Sequence, residues 1–284
     1  KRTADSLGLG CDFTYGTLWP FNAFDLPDKY GTRSFYQKES PEDRTLTWDH
    51  PRKARIINHL DKEAFAYYAK QMDEGLKDAY KGSKSGIFVD SWEVETRHLW
   101  TEGYGEKFKE RFGYEIEPLM DKLYQPGYED VYYDYMTLMS DYVLYDFYKP
   151  FTDHAHTQGA FSRSQCGGAP ADLLTAFMFV DVPETEAILY EPNYGRIPAS
   201  AAALAGKDVV TSETFTCLYG WRKWGGKGPY QDEEQVADMR LIADALFANG
   251  TNQIIWHGMP YNKKGNGKND NHFYASVHVG PDAY

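Results

Sequence analysis

Ser85-Gly86-Ile87-Phe88-Val89-Asp90-Ser91-Trp92-Glu93-Val94-Glu95 decides how this chain is read. Ile87, Phe88 and Val89 are consecutive apolar β-formers behind a glycine, the pattern of a strand buried in a parallel sheet. The run then breaks into carboxylates with a tryptophan between them. Apolar residues inside and acids at the carboxyl end is how a (β/α) barrel presents reactive groups at its mouth. The pattern recurs in Phe179-Val180-Asp181-Val182-Pro183-Glu184, and Val209-Val210-Thr211-Ser212-Glu213 again stops on a glutamate. Three such strands predict a pocket lined with carboxylates.

Outward from this stretch, helical and extended patterns alternate. Leu7 to Tyr15 reads as a strand, and the loop after it carries Trp19-Pro20-Phe21. Residues 25 to 55 are polar, without a sustained period, and read as a long connection over the mouth. Asp61 caps a helix to about Tyr80, its buried face marked by Leu60, Ala64, Phe65, Tyr68, Met72, Leu76 and Ala79 at threes and fours. Thr101 is placed to cap a helix that Gly113 stops, and Ile116 to Tyr124 reads as a shorter one. Glu129 to Gln158 is a long tyrosine-rich helix, bent at Pro150 because proline lacks a ladder donor. Strands follow at Ala160–Gln165, Met178–Asp181, Asp208–Glu213 and Gln253–Trp256, with a short helix starting at Pro170-Ala171-Asp172 and others at Ala199–Ala205 and Asp232–Asn249.

Strands alternating with helices predict an α/β fold with a parallel sheet, here a (β/α)8 TIM-like barrel. Six strands are legible where eight are needed, so the barrel is expected to be incomplete at one or both ends, or to hide a strand in residues 30 to 57. Residues 1–284 read as a single catalytic domain whose two ends look cut from a longer chain. No GxGxxG or P-loop follows any strand, so nucleotide-binding folds have no support.

Bulk properties narrow the classes. The net charge of −12 argues against nucleic acid, which needs a basic surface. No apolar run is long enough to cross a membrane, and no apolar stretch after Lys1-Arg2 resembles a signal peptide. Aromatic residues make up 16% of the chain and 23 residues are tyrosine, side chains whose flat faces and polar tips suit sugar rings as well as cores. Cys11, Cys166 and Cys217 are unpaired in spacing and read as buried, inert thiols.

Cleaving a glycosidic bond needs a carboxylic acid on the leaving oxygen and a carboxylate that activates water or attacks directly. Glu93 and Glu213, at the ends of different strands, are natural partners for that chemistry. Asp90 is placed to raise the pKa of Glu93 by like-charge repulsion. The alternative is that Asp90 and Glu93 cap a following helix or pair with a basic residue. Asp181, Glu184 and Glu186 form a second acid cluster, of the hard-oxygen type that suits Ca²⁺. His257 could contact a sugar hydroxyl or be a core histidine. His154 and His156 lie on the long helix without a matching acid. A zinc hydrolase would need an HExxH helix or histidines clustered at strand ends, but there is no HExxH and the one HxH, His154-Ala155-His156, lies on a helix.

These motifs, in order, resemble the family 106 glycoside hydrolases, the α-L-rhamnosidase family. The likeness runs through Gly16-Thr17 with Trp19-Pro20-Phe21, then Asp90-Ser91-Trp92-Glu93, Trp100-Thr101, and Phe108 with Arg111 and Gly113-Tyr114. It continues through Asp181-Val182-Pro183-Glu184 with Glu186, Ser200-Ala201-Ala202 before Gly206-Lys207, Ser212-Glu213-Thr214-Phe215-Thr216, and His257-Gly258. The resemblance implies a barrel within a larger, multi-domain, secreted or periplasmic enzyme that inverts configuration. It makes Glu93 the general acid and Glu213 the general base, with Glu184 and Glu186 helping to hold a calcium. The chain departs from the family in carrying Glu95 where a glycine is usual and in a shorter segment between Phe21 and Asp61. The reading that results is a glycosidase acting on a terminal deoxy-sugar of a polysaccharide. Trp19, Trp92 and Trp256 are its stacking surfaces, Asp90 and Asp181 line the sugar, and Arg163 and His257 contact its hydroxyls. The rival is a carbohydrate-binding barrel without turnover.

Overall fold

The computed structural model describes residues 1–16, 21–37, 54–77, 79–81, 84–188, 192–216 and 235–257. They divide into two compact units, Lys1–Asp181 and Val182–Tyr284. Each is α/β.

The first unit opens with a short helix, α1 (Arg2–Ser6), and β1 (Phe13–Tyr15). Two antiparallel ribbons follow: β2 (Asn22–Phe24) pairs with β4 (Ala54–Ile56), and β3 (Arg33–Ser34) pairs with β6 (Leu99–Trp100). The parallel sheet places β5 (Gly86–Val89) between β1 and β7 (Phe161–Gln165), with Phe13 opposite Ile87 and Phe88 opposite Arg163. Every residue of β5 is buried, as its unbroken apolar run requires.

Helix α2 (Lys62–Leu76) is capped by Asp61, whose Oδ1 accepts from the Glu63 amide at 2.9 Å, and it buries Ala64, Phe65, Tyr68 and Ala69. The cap is the predicted one, and the predicted face is buried at Ala64, Phe65 and Tyr68 but only half-buried at Met72 and Leu76. Helix α3 (Tyr104–Phe112) stops at Gly113 in the left-handed region, also as predicted, but it starts at Gly103 rather than at a Thr101 cap. Thr101 is buried instead, its hydroxyl accepting from Asn58 Nδ2 at 3.1 Å.

The long helix is three pieces: α4 (Glu129–Tyr142), a π-helical turn at Val143–Tyr148, and α5 (Lys149–Thr157). The irregularity expected at Pro150 thus lies just before it. Pro150 donates nothing and its ring crowds the carbonyl four residues earlier, so the helix widens there rather than breaking. The widened turn buries Val143, Leu144, Phe147 and Tyr148. Phe147 meets Phe21, His59 and Phe65 with ring centroids 5.5, 4.4 and 5.9 Å apart.

Where a strand at Met178–Asp181 is predicted, the chain forms α6 (Leu173–Phe179), capped by Asp172 through the Leu174 amide at 3.1 Å. The second unit begins with the strand itself, β8 (Val182–Ile188). Its centre is β9 (Thr211–Thr216), parallel to β8 on one side and to β10 (Gln253–Trp256) on the other. Helices α7 (Arg196–Ala205) and α8 (Val236–Ala248) complete it. Met239, Ile242 and Leu246 of α8 pack with Ala187 and Phe215 into its core. Each unit thus holds three parallel strands, and a complete eight-stranded barrel is not seen among the described residues.

The connection after β5 is held by a close backbone approach. The Trp92 amide donates to the Gly167 carbonyl at 3.0 Å, and Gly168 has φ +81°. A Cβ at Gly168 would lie 2.5 Å from the Trp92 carbonyl oxygen. Gly168→Ala is therefore expected to lower stability by about 1–3 kcal/mol, read from urea unfolding, because neither the dihedral nor the contact can relax cheaply. An unchanged midpoint would show that this turn does not constrain the connection.

His59 is buried among Phe21, Trp92 and Phe147, and burial pushes its pKa down from 6.5 to about 3. The folded protein keeps this ring neutral while the unfolded chain protonates it below about 6.5. The unfolded state thus binds more protons over that interval, so stability is full above pH 6.5 and declines toward pH 3. Replacing His59 with Phe should flatten that decline, measured as the difference in urea midpoints between the two proteins from pH 7 to pH 4. Parallel curves would mean that His59 is accessible to protons when folded.

Candidate active site

In the first unit, β5 ends at Val89 and the acids follow at once. The Ser91 amide donates to Asp90 Oδ1 at 2.8 Å, and the Ser91 hydroxyl donates to Glu93 Oε1 at 3.1 Å. This turn sets Asp90 and Glu93 on a short irregular stretch, with Glu93 and Glu95 exposed and Thr96 buried. No helix begins there, since α3 starts only at Tyr104, so the two acids are not helix caps. Trp92 is half-buried, its ring 4.4 Å from His59 and 6.5 Å from Phe147 between centroids. The aromatic cluster thus supports one side of the turn whose other side carries Glu93.

Two other residues expected at the mouth sit elsewhere. Arg163 lies over the Phe88 ring and donates through Nε to Asp12 Oδ2 at 3.1 Å. Asp12 also accepts from the Gly86 amide at 2.9 Å, which places this ion pair at the amino ends of β1 and β5. Asp181 precedes β8 instead of ending a strand. Its Oδ2 accepts from the Ser162 amide at 2.8 Å and hydroxyl at 3.1 Å, and it lies 2.8 Å from His156 Nε2. The repeat of Asp90 and Asp181 in sequence is therefore not a repeat in structure. His154 and His156 also have acid partners: His154 Nε2 is 3.2 Å from Asp73 and 3.1 Å from the Tyr15 hydroxyl.

The second unit assembles three further side chains. Glu184 lies inside β8, fully buried, and its Oε2 accepts from the Thr211 hydroxyl at 2.6 Å. Glu184 is opposite Thr211 in the ladder, so Glu186 is opposite Glu213. Residues two apart share a face of a strand, which turns Glu186 and Glu213 to the same side. Glu213 is thus within β9, not at its end. His257 follows β10, its amide bonded to the Thr214 carbonyl at 3.1 Å, and its Nδ1 lies 3.0 Å from Glu213 Oε1. Ligand atoms of Glu186, Glu213 and His257 lie within 4.8 Å of one another.

That donor set mixes one imidazole with two carboxylates. Calcium takes six to eight oxygens, so these residues alone do not complete a calcium shell. Of the two acids expected to bind metal, Glu184 is buried against Thr211 while Glu186 remains partly accessible. Trp256 is 45% exposed and meets Phe215 at 4.8 Å between ring centroids, and Trp19 lies outside the described residues.

Sequence reasoning passed over His59 and Thr211. His59 follows the apolar Ile56-Ile57 pair, and polar residues straight after an apolar run were a readable signal of a strand end. Thr211 left no such signal, because a hydroxyl that satisfies a buried acid is visible only through strand register.

A family profile described as alpha-L-rhamnosidase, glycoside hydrolase family 106, matches residues 55–269, well over half of the chain. Among solved structures, the rhamnosidase from Novosphingobium sp. PP1Y is similar with a TM-score of 0.59 and 18% identity, over 78% of this chain and 22% of that one. A beta-galactosidase from the Antarctic haloarchaeon Halorubrum lacusprofundi is similar with a TM-score of 0.60 and 11% identity, over 97% of this chain and 46% of that one. A beta-galactosidase from the psychrophilic Marinomonas ef1 gives 0.50 and 11%, over 84% and 42%. At these identities the likeness speaks for the fold, and this chain spans less than half the length of each of those proteins. No curated protein sequence matches the chain. With more than half its residues covered by that one profile, the chain belongs to the alpha-L-rhamnosidase family of glycoside hydrolases, family 106.

Proposed function

We propose that this chain carries the catalytic machinery of an inverting glycosidase that removes a terminal α-L-rhamnose, or a related deoxy-sugar, from a polysaccharide or glycoside. Family membership supports the substrate class. The observation that carries the choice of residues is the grip of His257 on Glu213, 3.0 Å apart, beside Glu186 on one strand face. A carboxylate held this way is oriented to take a proton from water.

In this reading Glu93 gives its proton to the glycosidic oxygen as the bond to the anomeric carbon breaks. Glu213 takes a proton from the water that attacks the opposite face of that carbon. Inversion asks for about 6.5–9.5 Å between the two carboxyl groups, room for that water. Asp90 lies on the same turn, three residues before Glu93. Trp92 and Trp256 supply stacking faces, with Trp19 carried in from the motif. His257 holds Glu213, and the proposal moves Arg163 and Asp181 to structural roles because both are tied to partners at the amino ends of strands. Glu186, rather than the buried Glu184, would help to hold a calcium, which when bound would supply a positive charge for the sugar hydroxyls.

The same reading makes residues 1–284 one catalytic domain of a longer, multi-domain, secreted or periplasmic protein whose (β/α)8 barrel is completed by other segments. Its partner is a carbohydrate, and neither nucleic acid nor membrane insertion belongs to it. Among the described residues no helix is long and apolar enough to cross a membrane.

Glu93→Gln and Glu213→Gln are each expected to lower kcat on an aryl α-L-rhamnoside by about 10²–10⁴-fold while leaving sugar binding in place. Proton NMR of the first product should show the inverted anomer. If Glu93→Gln stays active and Glu95→Gln does not, the acid is Glu95. If the unmodified protein binds rhamnosides without turnover in its full-length form, the catalytic reading is replaced by a binding one. Removing divalent ions with EGTA should reduce kcat/KM about 10–100-fold, restored by Ca²⁺. Full activity in chelator would remove calcium from the mechanism.

A further inference from the structure

Away from the acid turn, the first unit carries a chain of aromatic rings on its surface. Tyr36 and His98 have ring centroids 5.1 Å apart, His98 and Tyr124 5.0 Å, and Tyr124 and Tyr132 5.5 Å. Tyr36 is 54% exposed, Tyr124 57% and Tyr132 39%. The first two contacts are edge to face, at 82° and 63°. The rings flanking His98 are thus turned away from its plane, and each is more than half open to solvent.

The backbone holds this arrangement firmly. Tyr36 follows β3 and His98 precedes β6, and these strands pair, so the ribbon fixes both residues at once. The His98 carbonyl accepts from the Phe35 amide at 2.8 Å, and His98 itself has φ +54°. A non-glycine residue in the left-handed region is uncommon, and such residues gather at functional sites. The Tyr36 hydroxyl donates to Asp121, in the helical turn that leads to Tyr124.

Two residues of the strip lie on connections that leave the carboxyl ends of strands. Tyr36 lies on the connection that follows the carboxyl end of β1, and His98 on the one that follows the carboxyl end of β5. That second connection also carries Glu93, from which His98 is separated by no more than about 18 Å of extended chain. The helical run from Glu129 to Thr157 reaches about 43 Å, roughly twice the length of α2, and it ends beside the amino end of β7. Tyr132 lies near the start of that run, at the end remote from β7.

We propose that Tyr36, His98, Tyr124 and Tyr132 form a carbohydrate-binding strip that holds sugar residues of a polysaccharide beyond the one being released. Choosing a carbohydrate as occupant rests on the glycosidase reading. The features favouring it over a protein partner are the shared connection with Glu93 and the ring chemistry. Tyrosine and histidine offer a flat apolar face to the C–H side of a sugar and a polar tip to its hydroxyls.

The test uses the full-length protein with Tyr36 and Tyr124 both changed to Ala, and both changed to Phe as the control that keeps the rings. The probes are gum arabic, a polysaccharide with terminal rhamnose, and 4-nitrophenyl α-L-rhamnoside. In gels containing gum arabic the unmodified protein and the Phe variant are expected to be retarded, and the Ala variant to lose that retardation. KM for gum arabic should rise about ten-fold in the Ala variant, with kcat and KM for the aryl rhamnoside unchanged. Unmodified protein that is not retarded, an Ala variant that is retarded equally, or equal loss on both substrates overturns the proposal. So does a change of oligomeric state in the Ala variant, which would assign the strip to a protein contact. A protein that never turns over either substrate but still loses retardation on removal of the rings keeps this strip and defeats the glycosidase reading alone.

Discussion

The hydrogen bond from Thr211 to the buried carboxylate of Glu184 sets the second unit in place. A fully buried acid needs a donor, and the donor here sits on the neighbouring strand at the matching rung. Because side chains alternate along a strand, slipping β9 by one residue would strip Glu184 of Thr211 and turn Glu213 to the opposite face. The same register brings Glu186 beside Glu213. The register that this contact marks decides which side chains share that face of the sheet.

The first unit uses backbone and aromatic packing for the equivalent purpose. Trp92 is held by its amide at Gly167 and by its ring on His59, and His59 rests on Phe147. Phe147 belongs to the π-helical turn just before Pro150. A wider turn shifts the phase of the residues beyond it, so the helix that carries Phe147 under Trp92 can still bury Phe151 and Ala155. The proline that reads as a flaw in the helix is tied to the packing beneath the acid turn.

Legibility in the sequence followed the physics of each element. Helix α2 was readable because Asp61 and the three-and-four spacing are local signals, and β5 because its apolar run has no other use. Gly113 marked a helix end for the same reason. Strand β8 was not readable: Val182-Pro183-Glu184-Thr185-Glu186 buries polar side chains and shows neither alternation nor an apolar run. The helix start at Asp172 is legible, but Met178 to Asp181 reads as a strand, whereas Met178 and Phe179 end that helix and the strand begins only at Val182. That mistake put Asp181 at a strand end and made it look like a second Asp90. Glu213, Glu186 and His257 were each identified alone. Their meeting depends on register, which no single segment encodes.

The paired ribbon of β2 and β4 has a further consequence. Its two strands are close in space but flank a stretch that runs from Asp25 to Lys53 along the chain. Closing a longer excursion between fixed ends raises the entropic cost only logarithmically, about 0.6 kcal/mol per doubling. Evolution can therefore splice in or trim sequence at this point while the ribbon keeps its hydrogen bonds.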